Sequence, residues 1–170
     1  MISQNFSLGY KRLSAVEVDP KASNQHEFQG VSILRSLFGD ERITMEEVPM
    51  VELSDEYAPT KIFNRLTWYD ARERNPDRSP EFRLVYSVPP TASPGDLLAI
   101  IRDNRQNEPR FAILIAEASS TWESQLLQVS GIDELKAKPW NGAPTTGPEL
   151  RFESFTQSLF LEPILEILDW

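Results

Sequence analysis

Apolar residues fall into short runs separated by polar stretches that often carry proline, the pattern of a meandering, mostly β protein. Residues 6–13 are apolar and aromatic enough for a strand. The segment 16–29 that follows is polar, is broken by Pro20 and is too long for a tight turn, so it reads as a projecting loop. Val31, Leu34, Leu37 and Phe38 recur at helical spacing, and Gly39 supplies the stop of a short helix. A strand over 43–53 is expected to break near Pro49. The β-rich runs 62–69 and 82–88 flank a polar loop, 70–81, with prolines at 76 and 80.

The second half carries the clearer core. The apolar runs 96–101 and 111–116, joined by a polar connection with Asn104, Asn107 and Pro109, predict a long-looped hairpin at the centre of the sheet. Ser120 and Glu123 stand at capping-box spacing, and Trp122, Leu126, Leu127 and Val129 give the apolar stripe of a second helix ending at Gly131. Residues 138–148 shift to Pro, Gly, Thr and Asn, as a linker or wandering loop does. Apolar periodicity returns over 152–170 and predicts a terminal helix kinked at Pro163. That helix runs to Trp170 without an evident cap, the look of a fragment of a longer protein.

The expected fold is therefore mostly β (α+β), with about seven strands and two short helices. One domain over 1–170 is the expectation for 170 residues with 40% hydrophobic and 25% charged content. The absence of cysteine excludes a disulfide scaffold, a thiolate nucleophile and thiolate zinc sites. No targeting leader or bilayer-spanning run is read, so a cytoplasmic protein is expected.

Charge complicates any reading as a polyanion binder, because the formal net charge is -9. Its distribution is uneven. Asp40, Glu41, Glu46, Glu47, Glu52, Asp55 and Glu56 face only Arg42 in one segment, and the last 25 or so residues are also acidic. Between 61 and 83, by contrast, Lys61, Arg65, Arg72, Arg74, Arg78 and Arg83 outnumber Asp70, Glu73, Asp77 and Glu81. With a screening length of about 8–10 Å in physiological salt, a basic loop can act while acids occupy the far side.

Catalytic candidates are few. His26 is the single histidine, and there is no nucleophile elbow, P-loop or dinucleotide glycine fingerprint. Neither a cofactor nor a metal is expected. A magnesium-dependent nuclease could be built from Glu134-Leu135-Lys136 with Asp77, after Pro76, as the upstream acid, and remains an alternative, as does a protein-interaction module. The stronger constellation is the loop Asp70-Ala71-Arg72-Glu73-Arg74-Asn75-Pro76-Asp77-Arg78. Arginine forks match guanine O6 and N7, asparagine pairs with adenine, and an acid accepts from cytosine N4. The first loop adds Lys21, Ser23, Asn24, Gln25, His26 and Gln29 as hydrogen-bonding partners. Lys11 and Arg12 before it are candidate phosphate contacts or edge-strand charges.

The run Lys11-Arg12-Leu13-Ser14-Ala15, the polar loop with His26 and then Gly30 before a helix resemble the N-terminal effector domain of EcoRII-like restriction endonucleases. Arg72-Glu73-Arg74-Asn75 with Arg78 is similar to that family's second DNA-clamping loop. The two core runs, 122–132 and Leu150-Arg151-Phe152 follow in the same order. The resemblance implies a DNA-binding pseudobarrel whose two arms grip the major groove of a short CCWGG-type duplex site. It implies a monomer without catalytic residues of its own, linked to a separate nuclease domain. The first arm would be 21–29 with His26, and the second 72–78 with Arg72 and Arg74 as its cations. The first loop is longer than the family's and lacks its paired glycines before the histidine. Pro76 and Asp77 stand where an acid and a lysine are expected.

Overall fold

The computed structural model describes residues 6–23, 26–30, 32–129, 150–152 and 155–170. These form β1 (Phe6–Arg12), α1 (Ala15–Val18), β2 (Glu27–Gly30), α2 (Ser32–Phe38), β3 (Ile43–Leu53), β4 (Thr60–Asp70), β5 (Phe82–Tyr86), β6 (Leu97–Asp103), β7 (Arg110–Ala116), α3 (Thr121–Val129), β8 (Leu150–Phe152) and α4 (Phe155–Leu168). The strands build one curled, mixed sheet in the order β2-β5-β4-β3-β7-β6-β1-β8, a half-barrel of mostly β character. All described pairings are antiparallel except β3 with β7.

The central hairpin is where the apolar runs placed it. Strands buried on both faces read as continuous apolar runs, and β6 and β7 do. Leu97, Ala99 and Ile101 of β6, with Ala112, Leu114 and Ala116 of β7, face a cluster completed by Leu126 and Leu127 of α3 and Leu161, Ile164 and Leu168 of α4. The alternate residues Leu98, Ile100, Ile113 and Ile115 face the barrel interior with Leu34, Leu37 and Phe38 of α2 and with Leu66, Trp68, Phe82, Leu84 and Tyr86. At the β4–β5 end, Trp68 lies between Phe38 and Phe82 with ring centroids 5.1 and 5.0 Å away, and its Nε1 donates to the Gly39 carbonyl at 2.9 Å. Burying such aromatics is worth about 1.5–3 kcal/mol each, and here it fixes where the 70–81 loop leaves the sheet.

The described residues hold eight strands, in keeping with the about seven expected, and four helices, of which α2, α3 and the terminal α4 were expected and α1 was not. Three local expectations are overturned. The segment 16–29 is not all loop: its start is the one-turn α1 and its end is β2. Ser14 and Glu17 carry a second capping-box spacing, in which the Ser14 amide donates to the Glu17 carboxylate at 2.7 Å. Strand β3 does not break at Pro49. Its irregularity is a bulge between Met45 and Val48, with Glu47 at φ 50°, while Pro49 stays in register opposite Phe63. Proline is tolerated there because pairing with β7 begins only at Met50, so its missing N–H leaves no ladder bond unmade. The run 82–88 forms strand only as far as Tyr86. Helix α4 continues through Pro163, and the segment 138–148 lies outside the described residues.

Among the described residues no ladder joins β1 to β2. Where the curl brings β1 toward the free edge of β2, Lys11 points inward and forms a fully buried ion pair with Glu17. The Gln29 amide donates to Glu17 Oε1 at 2.8 Å, and Lys11 Nζ reaches the Gln29 carbonyl at 3.4 Å. The pair thus satisfies a donor and an acceptor on an edge that none of the described strands covers. Burial pulls the Lys11 ammonium below its ordinary value, against the opposing pull of Glu17. Tyr86 Oη donates to the Glu17 carbonyl at 2.8 Å, and burial, with the charges of Glu17 and Glu27, pushes its phenol up to about 12.

Gly30 ends β2 against Phe82, and a Cβ built on it would stand 2.3 Å from the Phe82 carbonyl oxygen. Gly30→Ala must push the β2 edge off β5 and is expected to cost about 1–3 kcal/mol in urea unfolding. An unchanged midpoint would show that the edge yields freely.

Candidate nucleic-acid interface

The second polar loop is an ordered turn. Asp70 Oδ1 accepts from the amides of Arg72 (2.9 Å) and Glu81 (2.8 Å), and the Ala71 amide donates to the Glu81 carbonyl at 2.7 Å. Two further turns follow, with the Asn75 amide on the Arg72 carbonyl (2.8 Å) and the Arg78 amide on the Asn75 carbonyl (3.1 Å). At its base runs a chain of alternating charges. Arg72 pairs with Glu81 at 2.5 Å, Glu81 with Arg83 at 2.6 Å, and Arg83 with Glu27 of β2 at 2.5 Å. Arg72 also donates to the Ser79 carbonyl at 3.3 Å. Arg72 therefore braces the loop, whereas Glu73, Arg74, Asn75, Asp77 and Arg78 project into solvent. The described residues give the side chains of Arg74 and Arg78 no ion pair.

Hydrogen bonds from the Glu81 and Arg72 amides hold the Asp70 carboxyl below its ordinary range, and the Arg83 guanidinium does the same for Glu81. Lowered folded values mean that these contacts favour the ordered loop fully above the ordinary carboxylate range. They are lost as pH falls through the lowered values. In an NMR titration the Arg72 and Glu81 amide signals are expected to move with a midpoint below the free aspartate value of about 3.9. A midpoint at or above it contradicts this arrangement.

In the first arm, the Lys21 amide donates to Asp19 Oδ1 at 2.9 Å, and the Ala22 and Ser23 amides donate to the Asp19 carbonyl at 2.9 and 3.1 Å. Lys21 is exposed and Ser23 half-buried. His26 is exposed, with its ring stacked on Tyr86 at 5.8 Å and 5°. Asn24 and Gln25 lie outside the described residues, as do Glu134 and Lys136 of the magnesium-nuclease alternative; its other acid, Asp77, stands in the exposed turn. Lys11 and Arg12 are not phosphate contacts. Lys11 is buried on Glu17, and Arg12 is held by Glu123 and the Gly95 carbonyl.

The two arms leave opposite ends of one ladder. Gly30 opposes Phe82 beside the second arm, and the His26 carbonyl accepts from the Tyr86 amide beside the first. That separation is about 13 Å along the strand, close to the roughly 12 Å width of a B-DNA major groove. A cleft of about 460 Å³ at this ladder is lined by Glu27, Gln29, Arg35, Glu81 and Arg83 among others. Gln29, exposed and in register with Arg83, is the first-arm candidate nearest the second arm.

Three residues at this end were not singled out from the sequence. Arg83 ties the two arms together, and Arg35 from helix α2 and Arg42 from the α2–β3 turn flank the second arm. The signal for Arg83 and Tyr69 was present as alternation. Trp68, Phe82 and Leu84 point into the core, so their neighbours in sequence must point out. Arg42 was obscured by its acidic surroundings. Compared with protein families, curated proteins and solved structures, the chain matches none.

Proposed function

We propose that this chain binds double-stranded DNA sequence-specifically, as the effector or target-recognition domain of a type II restriction endonuclease. In this reading it engages one CCWGG-type site as a monomer, without a cofactor, and strand cleavage belongs to a separate, covalently linked catalytic domain. The supporting observation is the pair of exposed polar arms that leave the two ends of one short ladder, the second braced so that Arg74, Asn75, Asp77 and Arg78 are presented together. Such a turn carries reader types for guanine, adenine and cytosine on one ordered support. Uncommitted acids share the surface: the described residues give Glu41, Glu73 and Asp77 no ion pair either. Their presence, with the net charge of -9, argues for weak non-specific affinity and a preference that depends on base contacts.

A gel-shift titration against CCWGG and scrambled duplexes at several salt concentrations tests the proposal. Binding that prefers the CCWGG duplex and weakens with salt is expected. Equal or absent binding to both duplexes overturns it.

A further inference from the structure

Beside the second arm the outer face of the sheet carries a row of side chains. Gln29 of β2 is in register with Arg83 of β5, Arg83 with Tyr69 of β4, and Arg42 precedes Ile43, whose partner is Trp68. The Arg42 guanidinium lies over the Tyr69 ring, 5.3 Å from its centroid. Ile43 packs toward the barrel interior, so Arg42 projects outward with Tyr69. Arg35 sits in the last turn of the adjoining helix α2, over the Phe82 ring at 4.8 Å and paired with Asp40 at 2.5 Å. Arg42 is exposed, and among the described residues it has no carboxylate partner, although Glu41 adjoins it.

We propose that Arg42, held on Tyr69, is a phosphate contact that extends the duplex footprint sideways from the second arm. The inference rests on the DNA-binding reading above. Arg42 lies on the sheet face to one side of the projecting turn, where a cation serves to position the protein on the sugar-phosphate backbone while the turn meets base edges. Two interstrand spacings, roughly 10 Å, separate Arg42 from Arg83, which places it beyond the groove-facing turn and not beneath it. Stacking on Tyr69 leaves the guanidinium edge free to donate, the geometry in which arginine both rests on a ring and binds an anion.

The test is the salt dependence of binding to the preferred duplex by wild type, Arg42→Ala and Arg42→Lys, with thermal midpoints measured alongside. Arg42→Ala is expected to reduce the slope of log K against log salt by about one, weaken all sequences alike and leave the melting midpoint unchanged. Arg42→Lys should keep the wild-type slope. An Arg42→Ala slope equal to wild type overturns this inference alone, as does a change confined to one base position, which would make Arg42 a base reader. Wild type with no salt-dependent duplex binding overturns the DNA-binding reading itself.

Discussion

Glu17→Ala is expected to lower stability by about 3–5 kcal/mol, a large share of the roughly 5–15 kcal/mol that holds a domain folded. The substitution strands the Lys11 ammonium, whose side chain has no exposed surface. It also removes the acceptor for the amides of Ser14 and Gln29 at the same point. Breaking a buried pair from one side is costly because the remaining charge can be neither hydrated nor paired. Removing the charge and keeping an acceptor should be far milder. In Lys11→Met with Glu17→Gln, the amide oxygen can still receive one backbone N–H and no ion remains, so most of the lost stability is expected to return. Urea unfolding of the three proteins measures both effects. A loss below about 1 kcal/mol for Glu17→Ala would mean that the seam between β1 and β2 is closed by something else.

Arg74→Ala is expected to weaken binding to the preferred duplex by about 1–3 kcal/mol, roughly ten- to a hundredfold, and to relax the preference at one base pair. Arg74 is exposed at the tip of a turn whose base is fixed independently by Asp70, Arg72, Glu81 and Arg83. Its removal should therefore leave the loop in place and report on recognition alone. Lys21→Ala is the contrasting case. It is expected to weaken all sequences alike and lower the salt slope by about one, since a lysine acts on phosphate as a point charge. Quantitative titration of both variants on matched and scrambled duplexes separates these effects. Equal, sequence-independent losses from both would remove base reading from the second arm.

The sheet was legible wherever side chains alternate or run continuously apolar. The β6–β7 hairpin, β4 and β1 emerge close to their expected bounds because their burial patterns are strict. The short edge strand β2 was not legible: Phe28 is its one fully buried residue, and a single apolar position in a polar stretch gives no period. The helix α1 was missed although Ser14 and Glu17 spell a capping box, since a single turn leaves no apolar repeat behind it. The candidate site was legible in composition but not in arrangement. That Arg72 and Arg83 brace the turn while Arg74 and Arg78 project depends on Glu81 and Glu27 reaching them across β5 and β2. Lys11 is the sharpest reversal. A lysine on a strand beside a polar loop suggests phosphate, but the curl of the sheet turns it inward onto a glutamate six residues on.

The most direct measurement is selection from a pool of duplexes with a randomised core, carried out with wild type and with Arg74→Ala in parallel. Wild type is expected to enrich one short motif of CCWGG type, with one position of that motif degenerate in the variant's pool. Recovery of wild-type duplexes as random as the starting pool would contradict the assignment of the two arms to sequence-specific DNA recognition.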